Sequence, residues 1–499
     1  KCSNFPSTEC PIDQYQTYLS AFGMCSKDLL TDCISQIQAY KEDGTKLEAR
    51  YFKDLPGEDG FQFKGNRAVS LPNGSSPFIV DIPGAEHSNG TKYLIDAIMY
   101  GDRLPNEQKF QLGGFDAQIY AVSMVNGKYS YQVPALNPDA YGVLGVHSSY
   151  GPTDRSCVQV NLDLCAKKES LPINIRFTIT FKFSTPINGW FHGRTSNVSA
   201  SIETDSDNNQ IVTISANSVQ VPTIFGWVTK ESAPVDLSNF YRLKPIELVN
   251  QGSGYCQGQN NCTPLTWPSV LRSTDPSEEG IKEINLWLPI LHDTAINTSS
   301  IWNIRSMGGQ IDSKCTLRND MISGIVSTNA TSYISGPPNY DSKNGTLNYI
   351  VVAPHFLPDG VSFKGSYDLI IRSDLARCIY GFSSAPVKAT VSVTSSSGQN
   401  QIATTTFTEK DGFMHLSANG FEFSNPTLQV KLVQDLPKIE STPTPIPSPT
   451  VIAPSTPKAL APQISKSTPI KSTITCIKGK TIKKVTAVNP KCPTGYKKK

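Results

Sequence analysis

Residues 176–183 (RFTITFKF) alternate strictly: Phe177, Ile179, Phe181 and Phe183 share one face, and Arg176, Thr178, Thr180 and Lys182 share the other. A period of two sustained over this stretch predicts a half-buried strand. Residues 388–394 (KATVSVT) and 427–432 (TLQVKL) repeat the pattern. Turn signals separate such runs. Asn126-Gly127 stands between AQIYAVSMV and KYSYQV, Asp411-Gly412 stands between TTTFTEK and FMHLSA, and Asp43-Gly44 is similar. These dipeptides tolerate the positive φ of a tight primed turn. One stretch has helical spacing instead: Tyr15, Tyr18, Leu19 and Phe22 at i, i+3, i+4 and i+7 predict a helix over 12–22. Many short strands at turn spacing define an all-β chain of tandem Ig-like β-sandwiches, with helix a minor component.

The pattern changes after residue 440. Residues 441–470 carry eight prolines among Ser, Thr and Ala, a composition that buries too little apolar area to offset its ordering entropy. Such a segment is a semi-rigid spacer of up to about 90 Å at ~3.1 Å per residue. Beyond it, 472–488 (STITCIKGKTIKKVTAV) alternates Thr, Ile and Val with Lys around a Gly-Lys turn, which predicts a small hairpin bracketed by Cys476 and Cys492. The expected organisation is a Cys-rich β domain at 1–107, a sandwich at 108–236, a β-rich segment with a Trp cluster at 237–314 and a sandwich at 315–435. The linker at 436–470 and the basic tail at 471–499 complete it. Weak internal echoes, NGTKYLI at 89–95 with NGTLNYIV at 344–351, and Asn209-Gln210-Ile211 with Asn400-Gln401-Ile402, raise a duplicated sandwich.

Composition moves the reading outside the cell. Of the 499 residues only 17% are charged, against roughly 25% in ordinary soluble domains. No apolar run approaches the ~20 residues of a membrane-spanning helix. The cysteines are Cys2, Cys10, Cys25, Cys33, Cys157, Cys165, Cys256, Cys262, Cys315, Cys378, Cys476 and Cys492. Ten of these lie at short separations and no CxxC or His-x3-5-His accompanies them, so disulfides in an oxidising compartment are the expectation rather than zinc. Cys2, Cys10, Cys25 and Cys33 leave three pairings open. A first residue Lys1, with no basic-then-apolar leader after it, reads as a mature exported form. Charge is segregated: residues 441–499 hold eleven Lys and no acid, which leaves residues 1–440 at −8 within a net charge of +3.

Candidate chemistry is sparse. GxSxG, HExxH, GxxxxGK[ST] and GxGxxG are all absent, and HSSYG at 147–151 offers His147 beside Ser148 without an orienting acid or oxyanion donors. Glu278 and Glu279 in STDPSEEG read as a solvated helix start rather than a catalytic pair. Asp205, Asp207 and Asn209 alternate oxygens as calcium prefers, but the Gly and Glu of a cation loop are missing and a hairpin tip is the plainer reading. No cofactor is implied. In NGWFHGR, Trp190 beside His192 and Arg194 suggests a glycan platform, weighed against the burial usual for Trp in a strand. Lys478, Lys480, Lys483, Lys484, Lys491, Lys497, Lys498 and Lys499 form a cationic cluster that attracts polyanions such as anionic wall polymers. Tyr496 is the one aromatic among them, so the pattern lacks the stacking surface of a nucleic-acid reader.

The tail ITCIKGKTIKKVTAVNPKCPTGYKKK, with its Cys, Gly-Lys, Pro-Lys-Cys-Pro and terminal Lys run, resembles a C-terminal module of secreted actinobacterial proteins. PINGWFHGRTSNVSASI at 186–202 and SDLARCIYGFSSAPVKATVSV at 373–393 look like the same group. The resemblance implies an exported or surface location and a bacterial source, and it brings no catalytic residue. In a bacterium the sequons at Asn73, Asn89, Asn197, Asn261, Asn297, Asn329 and Asn344 are incidental; in a eukaryote they mark a glycosylated ectodomain. The sequence therefore points to a non-catalytic secreted or cell-surface structural or adhesive protein, retained by its basic tail and open to self-association through sheet edges. A soluble glycan-binding protein is the alternative, and a glycoside hydrolase whose carboxylates meet only in three dimensions is the third reading.

Overall fold

A computed structural model describes residues 5–55, 63–127, 157–161, 163–229, 232–242, 269–272, 276–307, 315, 321–334, 336–383, 387–394, 400–401, 403–423, 427–434, 472–478, 481–487, 492 and 496–498. Among the described residues strand outweighs helix, 57% against 9%, an all-β composition with open sheets. The strands run β1 (Gln16–Ala21), β2 (Cys33–Tyr40), β3 (Lys46–Glu48), β4 (Arg50–Asp54), β5 (Phe78–Asp81), β6 (Lys92–Arg103), β7 (Gln111–Asn126), β8 (Cys157–Asn161) and β9 (Leu164–Glu169). They continue with β10 (Arg176–Phe183), β11 (Gly189–Thr204), β12 (Gln210–Trp227), β13 (Ser269–Arg272), β14 (Asn297–Met307), β15 (Ile322–Thr328), β16 (Ser332–Tyr333), β17 (Asn339–Asp341) and β18 (Thr346–Val352). Next come β19 (Lys364–Arg372), β20 (Val387–Thr394), β21 (Asn400–Gln401), β22 (Thr404–Lys410), β23 (Phe413–Glu422) and β24 (Thr427–Gln434). The helices are α1 (Val235–Arg242), α2 (Glu278–Trp287) and α3 (Ser373–Tyr380).

One hydrogen-bonded ribbon runs β4, β5, β6, β7, β14, β11, β15, β19, β23, β22. Its strands pair antiparallel except at β11 and β15. A second layer, β3, β2, β10, β12, β11, covers one face of the ribbon. The alternation read at 176–183 is what joins them. Phe181 and Phe183 of β10 each pack edge-on against Phe115 at 5.2 Å, and Phe177 lies 5.2 Å from Tyr93. Burying each such ring contributes about 2 kcal/mol. A third layer, β17, β18, β24, β20, β21, covers the opposite face. Period-two alternation divides the ribbon's side chains between the two cores: Phe191 and Ile370 enter the first, and Trp190, Leu369 and Ile371 enter the second.

β11 belongs to two sheets. Residues 189–193 pair with β15, and from Thr195 onward the strand pairs with β12. The change falls between Gly193 and Thr195 and is followed by a register break between Ser196 and Ser199, where Asn197 takes φ 53°. A bulge of this kind bends a strand, and Asn is among the few residues that adopt left-handed backbone at low cost.

The Asp411-Gly412 turn forms as the sequence predicts, with φ of 52° and 79° and Lys410 opposite Phe413. Residues 12–22 do not form the expected helix. The chain there is β1, paired with β6. The face that matters is Tyr18, Ser20 and Phe22, all buried, so a period of two overrides the coincidental helical spacing of its aromatics. KYSYQV lies outside the described residues, and the later part of β7 pairs with β9. The 237–314 stretch, expected to be β-rich, holds α2 and most of α1 as well as β13 and β14.

The chain divides into two compact units, Lys1–Pro437 and Lys438–Lys499. In the second, β25 (Ser472–Lys478) and β26 (Thr481–Ala487) form a hairpin, and β27 (Lys497–Lys498) pairs with β25.

Candidate functional site

Trp190, His192 and Arg194 sit at alternate positions of β11, which is hydrogen-bonded to β14 on one side and β15 on the other. All three are buried. The Trp190 ring packs on Gly324, where a Cβ would stand 2.4 Å from it. His192 Nδ1 is hydrogen-bonded to the Tyr333 hydroxyl, and the Arg194 guanidinium lies 4.6 Å from the Tyr333 ring while donating to the Thr331 carbonyl at 2.9 Å. Burial, with Arg305 and Arg194 nearby, holds His192 down to about 3, so the imidazole is neutral. These side chains therefore form a core cluster, the alternative to a glycan platform: a central strand under a covering layer presents no ring face to solvent.

Cys25 is bonded to Cys33 and Cys315 to Cys378, which excludes the N-terminal pairings that cross Cys25–Cys33. Cys10, Cys165 and Cys492 are also disulfide-bonded. Cys2, Cys256 and Cys262, and the side chains of Cys157 and Cys476, lie outside the described residues. So do Lys480, Lys491 and Lys499, His147 with its serines, Asn261 and Trp267, and the side chains of Lys478, Lys483, Lys484, Lys497 and Lys498.

The DSDNN tip is filled by protein groups. Asp205 accepts from the Asn209 side-chain amide at 3.0 and 3.1 Å, pairs with Lys182 at 2.9 Å and accepts from the backbone N–H of Asn209 and Asp207, which together hold its carboxyl well below the usual range. Arg67 donates to the Asp207 and Asn208 carbonyls and to Asn209 Oδ1. Oxygens of this tip are thus met by two protein cations, Lys182 at Asp205 and Arg67 at Asn209 Oδ1 and the adjacent carbonyls. No group of three metal-ligating side chains occurs among the described residues. Glu278 and Glu279 open α2, whose first turn is capped by the Ser277 hydroxyl accepting from Gly280 N–H at 2.8 Å.

A groove of about 310 Å³ lies where the bulge of β11 meets the ribbon. β11 lends it Asn197, Ser199 and Ser201, and β12 lends Thr213 and Ser215. Asp368 comes from β19, Thr406 and Thr408 from β22, and His415 and Ser417 from β23. Lys410 and Asp411 of the hairpin turn stand at one end. The hydroxyls form cross-strand pairs: Thr178 with Ser215 at 2.7 Å, Thr180 with Thr213 at 3.0 Å, and Thr406 with Ser417 at 2.6 Å. Arg176 stitches this face together, donating from Nε to Ser215 Oγ and from Nη2 to Ser199 Oγ, each at 2.8 Å.

Asp368 holds the bulge in place by accepting from Asn197 N–H at 2.9 Å. Burial pushes its carboxyl up to about 7, against the backbone N–H groups of Asn197 and Val198 and the charge of Arg176, which favour the anion. Burial also lowers the His415 imidazole, against the backbone of Val198 and Lys410 and the carboxylate of Asp411. The signal for this groove in the sequence is the polar half of each alternating strand, which by itself is indistinguishable from a solvated face. No family model, curated protein or solved structure matches the chain.

Proposed function

We propose that the chain is a non-catalytic secreted or cell-surface structural and adhesive protein, held on anionic surface polymers through its basic C-terminal unit and related to the exported actinobacterial group its tail resembles. The observation that carries this reading is the partition of the molecule. An acidic, layered β body spans Lys1–Pro437, and a separate β25–β27 unit belongs to the segment that holds eleven Lys and no acid. Disulfides and the lack, among the described residues, of any helix long and apolar enough to cross a membrane are compatible with that location. Within the body the layers read as sandwiches sharing the ribbon. Ionisable groups in the core, His192, Arg194 and Arg103 among them, are engaged in packing and hydrogen bonding. The ribbon ends at β4 and β22, the edges at which copies of the chain would pair.

Cell fractionation of the full chain and of a form lacking residues 471–499 tests the proposal. Retention of the full chain that weakens with salt, and release of the shortened form into the medium, are the expected results. Equal release of both would overturn retention, and turnover of a polysaccharide by the body would overturn the non-catalytic reading.

A further inference from the structure

We propose that the groove between β11, β12, β19, β22 and β23 is a binding site for a neutral saccharide, distinct in ligand chemistry from the polyanion-binding tail. This inference goes beyond retention and does not depend on it.

The groove's surface is a lattice of hydroxyls. Neighbouring strands set them ~4.8 Å apart and alternate residues of one strand ~7 Å apart, spacings comparable to those between hydroxyls across a hexose ring. Each Ser or Thr hydroxyl offers one donor and two acceptor positions. A hydroxyl that accepts from Arg176, as Ser199 does, still has capacity for a ligand. Ser201, Thr408 and the Asn197 side chain line the groove with no hydrogen-bond partner among the described residues. A ligand that is itself a dense array of donors and acceptors is the complement of such a wall.

Charge selects within that class. Lys410 is balanced by Asp411, and the buried Asp368 lies close enough to Arg176 to feel its charge. His415 is held toward its neutral form by burial. The cations here, Lys410 and Arg176, are matched by Asp411 and Asp368, so no surplus of positive charge recruits an acidic sugar or the phosphates of a nucleic acid. Among the described residues no Phe, Tyr or Trp lines the groove, so hydrogen bonds rather than stacking on a large ring hold the ligand. Position matters too: the bulge at Asn197 re-aims β11 at this point, and Asp368 fixes the bulge from beneath.

The experiment is calorimetric titration of the full chain with maltohexaose, cellohexaose and chitohexaose, with polygalacturonate as the acidic comparison. At least one neutral oligosaccharide is expected to bind. Its affinity should fall about tenfold or more in Ser201→Leu and in Thr408→Leu, about 1.4 kcal/mol or more, with melting temperatures unchanged. Thr408 is exposed, so its substitution leaves the fold intact. Binding should persist without residues 471–499, which separates this result from failure of surface retention. The proposal is overturned if no neutral oligosaccharide binds at millimolar concentration, if polygalacturonate alone binds, or if both Leu variants bind as the parent does.

Discussion

Asp32 and Ser184, 152 residues apart, are joined by three hydrogen bonds: the Ser184 N–H donates to Asp32 Oδ1 at 2.8 Å, and its hydroxyl lies 2.9 and 2.7 Å from the two carboxylate oxygens. The same carboxylate accepts from Asn73 N–H at 2.9 Å, so one buried side chain ties together the start of β2, the end of β10 and the 63–77 loop. Replacing it by Ala leaves several buried donors without an acceptor, each costing about 1–3 kcal/mol. Asp32→Ala is expected to lower unfolding stability by about 3 kcal/mol or more in urea titrations, and Asp32→Asn by less. Equal stability of Asp32→Ala and the parent would refute the role.

Arg103 performs the corresponding task at the N-terminus. It is fully buried, lies 4.7 Å from the Phe5 ring, and donates to the carbonyls of Ile12, Gln14, Leu104 and Glu107. A lysine keeps the charge but has neither the planar fork nor its five donors. Arg103→Lys is expected to free the segment before β1, read as protease cleavage within residues 5–16 at a rate well above the parent's. An unchanged cleavage pattern would count against this anchoring.

The Cys315–Cys378 bond spans 63 residues, while Cys25–Cys33 spans 8. On the loop-entropy account the longer loop contributes about 4 kcal/mol and the shorter about 2.5. Cys315→Ser with Cys378→Ser should therefore shift the denaturation midpoint further than Cys25→Ser with Cys33→Ser. The reverse order would show that local packing, not chain closure, dominates.

Two buried groups give stability opposite pH slopes. Asp368 keeps its proton to about 7 when folded, against 3.8 ordinarily. Between those values the unfolded chain binds fewer protons, so stability falls as pH rises, by up to ~4 kcal/mol from this group. His192 stays neutral down to about 3, against 6.5 ordinarily. There the unfolded chain binds more protons, and stability rises with pH. The two largely offset each other between about pH 4 and pH 6.5. Asp368→Asn removes one slope, so its stability relative to the parent should grow from about pH 4 to pH 7 and then level off. A difference that stays constant with pH would sink the assignment.

Local pattern made some elements legible and hid others. β10 was readable because its four apolar residues alternate without interruption, and the β22–β23 hairpin because Asp-Gly suits the φ its turn requires. β1 misled because aromatic spacing fits two periods at once, and only pairing with β6 decides between them. Trp190 leaves a glycan platform and a core position both open in the sequence, which does not show that β11 is flanked on both sides. The groove was the least legible part. Its walls come from residues near 200, 214, 368, 407 and 416, and only long-range pairing brings them together.

β12 runs for 18 residues and borders β10 and β11, then β14, then β13 in turn, while β11 passes from one sheet to another. A strand shared in this way is a splice rather than a hinge. Cutting the body at residue 236 would strip β12 of its β13 and β14 partners and leave raw, aggregation-prone margins. Heating should accordingly melt the layers in one concerted event, with no half surviving the loss of the other.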